Sequence, residues 1–181
     1  MPDTAHSTAL ILGGSRSGKS LRAENLARLS GLPVVYVATY LTGTDDSEMR
    51  GRIARHRERR PPEWKCVENR LALAEIAAEH AGHAVLVDCL TLWISARQSE
   101  NMAEDEILTE LSATVKSAQQ SPCSLIIVSN EVGLGLVPSS PEGRLFRDIC
   151  GRANQLAASL SDRVEFMVAG IPMRLKPAQH I

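Results

Sequence analysis

At 181 residues the chain is about one domain long, with length enough for a sizeable core. Hydrophobic residues make up 44% and charged residues 23%, near globular averages, which excludes wholesale disorder. A formal net charge of −1 gives no general attraction to nucleic acid or to an anionic membrane, so any basic function must be local. No apolar run approaches the ~20 residues needed to span a bilayer. Met1 to Thr8 lacks a basic segment followed by a hydrophobic one, and residues 1–8 read as a short disordered lead-in, not a secretory signal. Cys66, Cys89, Cys123 and Cys150 are scattered, with no C-x-x-C pair, so they read as buried free thiols in a reducing cytoplasm.

In chain order, Ala9 to Leu12 is a short apolar run that predicts a buried strand. Gly13 and Gly18 follow, four residues apart, and then Lys19-Ser20, which satisfies the phosphate-loop pattern G-x-x-x-x-G-K-[ST]. Leu21 to Leu29 is amphipathic and predicts the helix that such a loop opens. The loop therefore reads as Gly13, Gly14, Ser15, Arg16, Ser17, Gly18, Lys19 and Ser20. Its glycines let successive N–H groups face one anion, and the helix terminus and Lys19 add positive charge. The Ser20 hydroxyl suits Mg²⁺.

Gly31-Leu32-Pro33 makes a turn, and Val34 to Thr39 a second buried strand. Leu41 to Ser47 reads as a loop, and Ser47 to Arg59 as a very basic helix stopped by Pro61-Pro62. Trp64 to Glu68 suggests a short strand, Leu71 to His80 a helix, and Ala84 to Asp88 another buried strand. A polar patch at Gln98 to Asn101 leads into a helix from Ala103 to Gln119. Leu125 to Val128 is the fourth buried strand, Gly133 to Pro141 a loop, and Gly143 to Ser161 a long helix. Val164 to Ala169 is the last strand before a polar tail. Strands apolar on both faces, spaced by helices, imply an α/β, P-loop NTPase-type, mostly parallel sheet with helices on both faces and a RecA-like core. Residues 1–181 then form one nucleotide-binding domain, with ligands at the loops after Leu12, Thr39, Asp88 and Ser129. Strand order is not legible.

Asp88 ends a buried strand, where a protein of this kind places the acid that supports Mg²⁺; the plainer alternative is an N-cap for the next helix. Glu131 is a rival for that task, or a base for a substrate hydroxyl. On the basic helix Arg52, His56 and Arg60 lie at i, i+4 spacing on one line. An imidazole among guanidinium groups resists protonation and stays available as a nucleophile or base, although a solvated basic face with an incidental histidine is the commoner pattern. In the long helix Arg144, Asp148 and Arg152 are spaced for a salt-bridge ladder. The apolar, glycine-containing Glu131 to Pro138 segment reads as a substrate lid or subunit contact, and Trp64 and Trp93 as core or interface anchors.

Several segments together resemble one family. They are the loop Gly13 to Ser20; Arg52-Ile53, His56, Arg60-Pro61 and Trp64; and Ser129-Asn130-Glu131-Val132-Gly133, Pro138 and Phe146-Arg147-Asp148 through Gly151-Arg152-Ala153-Asn154-Gln155. The family is the bifunctional adenosylcobinamide kinase/adenosylcobinamide-phosphate guanylyltransferase of cobalamin biosynthesis, and the resemblance runs from about Ala9 to Lys176. It implies that ATP or GTP phosphorylates the aminopropanol hydroxyl of adenosylcobinamide. GMP from GTP then passes to that phosphate through a guanylylated histidine, giving adenosylcobinamide-GDP and pyrophosphate.

His56 matches the histidine, with Lys19 beside it in the catalytic set. Arg57, Glu58, Arg59, Arg60, Glu68, Asp88 and the segment Ala38, Thr39, Tyr40 match nucleotide-contacting positions, with Ser20 and Asp88 serving the metal. Glu68 could accept from guanine N–H groups. Some members carry paired histidines here; this chain has Arg55 before His56, leaving one nucleophile candidate. The resemblance also implies a homotrimer, while the cytoplasmic setting is read from the free thiols and the lack of a nucleic-acid partner from the net charge. Competing readings are a P-loop kinase of another small alcohol, or a RecA-like ATPase or binding module. The last is weakened by net acidity and by only two Trp, two Tyr and two Phe for base stacking.

Overall fold

The computed structural model describes residues 7–40, 51, 54, 57 and 60–177. The expected loop over 41–47 lies outside them, as do most of the expected helix over 47–59 and nearly all of the lead-in over 1–8. The elements are β1 (Thr8–Gly13), α1 (Lys19–Leu29), β2 (Val34–Ala38), β3 (Lys65–Glu68), α2 (Leu73–Glu79) and β4 (Ala84–Asp88). They continue with α3 (Leu90–Ser99), α4 (Glu104–Gln120), β5 (Ser124–Asn130), α5 (Pro141–Leu160), β6 (Arg163–Val168) and β7 (Ile171–Lys176).

The seven strands form one sheet in the order β3-β2-β4-β5-β1-β6-β7. All neighbours are parallel except β6 and β7, which pair antiparallel. The mostly parallel α/β architecture expected of the phosphate-loop pattern is therefore present. Alternation along the strands splits the core in two, because successive side chains point to opposite faces. Leu10, Leu12, Val35, Val37, Val85, Val87, Leu125 and Ile127 join residues of α2, α3, α4 and α5 on one face. Ala9, Ile11, Val34, Tyr36, Leu86, Ile126 and Val128 meet Ala23 and Ala27 of α1 on the other. Trp93 is fully buried, and its indole N–H donates to the Leu71 carbonyl at 2.9 Å, so it is a core anchor as expected.

Several expectations need correction. Between Asp88 and the polar patch at Gln98 the sequence predicts no element of its own, only a helix that Asp88 would cap; the structure has helix α3 there, with Leu90, Thr91, Trp93, Ile94 and Ala96 all buried, which blurs the amphipathic period. The polar tail is in fact strand β7, an edge strand whose residues Ile171 to Leu175 are all exposed, which removes the buried alternation that marks a strand. The ladder on α5 does not form. Arg144 donates instead to the carbonyls of Pro138 and Ser139, and Arg152 pairs with Glu104 of α4. Finally, all four thiols are free but only Cys123 and Cys150 are buried; Cys89 is half-buried, and Cys66 is exposed on the short edge strand β3. Thr8, assigned to the lead-in, already belongs to β1, where its hydroxyl donates to Asp162 at 2.8 Å. No helix among the described residues is long and apolar enough to cross a membrane.

Candidate active site at the phosphate loop

The C-terminal ends of the parallel strands β1, β2, β4 and β5 lie along one sheet edge. Between β1 and α1 the chain turns tightly, with the Ser17 N–H donating to the Gly14 carbonyl at 3.2 Å and the Arg22 N–H to Gly18 at 2.9 Å. Two glycines are required sterically. A Cβ on Gly13 would lie 2.4 Å from Ser17 Oγ and 2.9 Å from the Met167 carbonyl oxygen. Gly18 caps α1 in the left-handed region at φ 93°, and a Cβ there would lie 3.2 Å from Gly170 Cα. Behind the loop, the turn between β6 and β7 closes against it: the Gly170 N–H donates to the Ser17 carbonyl at 2.9 Å. Ser17 Oγ itself is buried with no partner among the described residues.

Lys19 begins α1 and reaches back over the loop, its Nζ donating to the Gly14 carbonyl at 3.0 Å. Burial lowers its pKa, opposed by the nearby Cys89 and Asp88. A partly desolvated ammonium whose hydrogen bond goes to a backbone carbonyl is well suited to a polyphosphate, which supplies further negative charge. Ser20 sits half-buried one residue on, in the first turn.

Asp88 ends β4 beside β2. It does not cap α3, whose N-cap position is Cys89 without a side-chain bond. Its Oδ2 instead accepts the Tyr36 hydroxyl at 2.7 Å. Tyr36 was not foreseen as a site residue, because within Val34 to Thr39 it reads as one more buried strand side chain. Burial pushes its phenol far above the ordinary value, reinforced by Asp88, so it stays a donor at every physiological pH. Thr39 ties the same two strand ends: its hydroxyl donates to the Cys89 carbonyl at 2.7 Å and accepts the Cys89 N–H at 2.8 Å. Ala38 and Tyr40 flank it, half-buried.

The Arg60 guanidinium lies 3.9 Å from the Tyr36 ring centroid. Its Nη1 donates to Cys66 Sγ at 2.8 Å and is 3.5 Å from Glu68 Oε1, while its buried Nε has no partner among the described residues. Arg57 holds Glu68 bidentately, at 3.2 and 2.6 Å. That bonding holds the Glu68 carboxyl below its ordinary pKa against a smaller opposing effect of burial, and leaves it gripped by two guanidiniums. The expected contact partners Arg57, Arg60, Glu68 and Asp88 thus come together at the β2–β3–β4 end of the edge. His56, Glu58 and Arg59 lie outside the described residues.

Glu131 stands just beyond β5. Its N–H donates to the Gly13 carbonyl at 3.2 Å, and its Oε1 accepts the Gly133 N–H at 2.8 Å. The following loop exposes Leu134, Leu136 and Val137, and Arg147 donates to the Gly133 carbonyl at 2.7 Å. Among the described residues no group of three or more His, Cys, Asp or Glu side chains could hold a metal by itself.

Residues 9–175 match the family model described as cobinamide kinase / cobinamide phosphate guanyltransferase. A Pseudomonas aeruginosa protein named bifunctional adenosylcobalamin biosynthesis protein CobP is 46% identical over 171 residues, covering 92% of this chain and 96% of its own length. An Escherichia coli protein named bifunctional adenosylcobalamin biosynthesis protein CobU is 35% identical over 181 residues, covering 92% and 98%. Among solved structures, flagellar accessory protein FlaH from Methanocaldococcus jannaschii superposes with a TM-score of 0.51 at 14% identity, covering 94% of this chain and 78% of that one. At that identity the likeness concerns the fold alone.

Proposed function

That the chain belongs to the cobinamide kinase / cobinamide phosphate guanyltransferase family is the premise from which we propose how its residues divide two reactions over one triphosphate site. Its activities are phosphorylation of a cobinamide hydroxyl and guanylyl transfer onto the resulting phosphate, within adenosylcobalamin biosynthesis. The observation that carries the division is the run of contacts from Asp88 through Tyr36 to Arg60 and Glu68. Because Asp88 is also near enough to Lys19 to act on its ammonium, this run supports one site that reaches from the phosphate loop to the end of the basic segment.

In this reading the amides of Gly13 to Ser20 and Nζ of Lys19 hold the triphosphate of ATP or GTP. Ser20 and Asp88 offer hard oxygen donors, and the Tyr36 hydroxyl fixes the Asp88 carboxylate, a donor set that fits Mg²⁺ completed by phosphate and water. When bound, that ion supplies charge neutralisation at the phosphates. For the kinase step Glu131, braced by Gly133 beside Gly13, stands where a base could take the proton from the cobinamide hydroxyl.

For the second step His56 is the nucleophile. Its neutral imidazole nitrogen attacks the α-phosphorus of GTP, forming a P–N bond as the bond to pyrophosphate breaks. An oxygen of cobinamide phosphate then attacks the same phosphorus and returns the histidine. Arg57, Glu58, Arg59, Arg60 and Glu68, with Ala38, Thr39 and Tyr40, contact the nucleotide. The protein acts as a single domain over residues 1–181, in the cytoplasm, as a homotrimer. The exposed apolar side chains Leu134, Leu136, Ile171 and Met173 support burial against further copies.

The test uses GTP labelled at the α-phosphate, with Mg²⁺, followed by denaturation. Wild type retains label that is labile to acid and stable to alkali, and His56→Ala retains none. An unlabelled wild type that still transfers guanylyl groups would refute the covalent histidine.

A further inference from the structure

Tyr36 touches both halves of this site and belongs to neither. It is 2% exposed, on the face of β2 that packs toward α1, and its two ends do different things. The hydroxyl donates to Asp88 Oδ2 at 2.7 Å, while the ring face carries the Arg60 guanidinium at 3.9 Å. Arg60 has few other constraints. Its side chain is 10% exposed, its Nε–H has no acceptor among the described residues, and its contacts on β3 are a thiol at 2.8 Å and a 3.5 Å approach to Glu68. A guanidinium so buried, with one N–H unmatched, is held ready for an acceptor that arrives from outside. The Tyr36 ring sets the plane of that guanidinium, because a cation is drawn to the ring's face and loses the attraction at its edge.

We propose that Tyr36 is a positioning residue that acts through Arg60 on guanylyl transfer and through Asp88 on both reactions. The inference rests on the division of labour set out above, in which Lys19 and Asp88 serve both steps and Arg60 serves the nucleotide in the second. The two limbs separate by chemistry. A phenylalanine at position 36 keeps the ring under Arg60 and removes only the bond to Asp88. A leucine removes both.

The experiment measures kinase and guanylyl-transfer rates of the full chain, with thermal melting of each variant. Tyr36→Phe slows both reactions by a similar factor, of about ten- to a hundredfold for one lost bond to a charged group. Arg60→Met slows guanylyl transfer by a larger factor than phosphorylation. Tyr36→Leu slows both, and guanylyl transfer by roughly a further tenfold, the size of a desolvated cation–π contact. In the cycle, Arg60→Met costs its full factor on the Tyr36→Phe background and almost nothing more on Tyr36→Leu.

The inference is overturned if Tyr36→Leu and Tyr36→Phe have the same ratio of the two rates, or if Arg60→Met multiplies fully onto Tyr36→Leu. Should Tyr36→Leu fail to fold, Tyr36→Met, which also lacks the ring, takes its place in the cycle and the same two outcomes overturn the inference. A wild type that phosphorylates but transfers no guanylyl group would break the underlying reading instead.

Discussion

Gly13→Ala tests whether the phosphate loop is held from behind as tightly as its geometry implies. The added methyl would lie 2.4 Å from Ser17 Oγ and 2.9 Å from the Met167 carbonyl oxygen. The closest ordinary carbon–oxygen contacts are about 3.3 Å, so the shortfalls are roughly 0.9 and 0.4 Å. The first can be relieved if Ser17 changes rotamer, but that hydroxyl is buried and must find new space. The second is backbone, fixed by the pairing of β1 with β6, where Gly13 lies opposite Met167. Overpacking of this kind costs about 1–3 kcal/mol. For a chain of this size that is a fall in melting temperature of about 2–4 °C for each kcal/mol.

Displacement of the loop amides lowers both activities together, by about tenfold for each 1.4 kcal/mol of lost transition-state binding. The assay is calorimetry alongside both rates. The decisive comparison is the double variant Gly13→Ala/Ser17→Ala, which removes the worse contact and recovers part of the stability. A double variant no more stable than Gly13→Ala would refute the steric account, as would a single variant that melts with wild type.

Two further outcomes follow from the ion pairs. Glu165 is 2% exposed and accepts from Arg22 at 2.8 and 3.0 Å and from Arg163 at 2.9 and 2.6 Å. Glu165→Ala leaves guanidinium charge on the β6 face without its carboxylate, and chemical denaturation registers a loss of about 3–5 kcal/mol; a loss under 1 kcal/mol would mean those arginines find other partners. Glu68, whose carboxyl is likewise held below its ordinary pKa, differs in being partly exposed. Its pairing with Arg57 contributes at and above the ordinary glutamate pKa of 4.5 and disappears as pH falls through the lower folded value. Between pH 6 and 3, Glu68→Gln therefore shows a shallower decline in stability than wild type, and parallel curves would contradict the assignment.

Much of the site was legible because its chemistry is local in sequence. The loop from Gly13 to Ser20 needs consecutive amides, so its residues must stand together, and Asp88 announces itself as an acid at the end of a buried run. Tyr36 gave no such signal. Its neighbours Val34, Val35 and Val37 are equally buried, and only the pairing of β2 with β4 brings its hydroxyl to Asp88. Helix α3 was hidden by burial around much of its circumference, which blurs the amphipathic period, and β7 by burial nowhere along it. The spacing of Arg144 and Asp148 suggested a ladder that the loop carbonyls of Pro138 and Ser139 outbid, since a rigid turn beside the helix holds its acceptors ready. Strand order rests on pairings between distant segments, which no local pattern records.

The contact between Gly170 and Ser17 bears on the order in which the protein can be assembled. β1 leaves the ribosome before the other strands of this sheet, yet it pairs with β5 and β6, and Thr8 bonds to Asp162 across 154 positions of sequence. The loop that carries Lys19 is translated early and gains its backing only when the hairpin of β6 and β7 has emerged. Contacts this distant are slow to form, because the long intervening chain must be ordered first. A nascent chain that stops before β6 would carry the complete phosphate-loop motif and lack the wall that shapes it. Competence to hold a nucleotide is thus expected to arrive with the β6–β7 hairpin, and not with the motif.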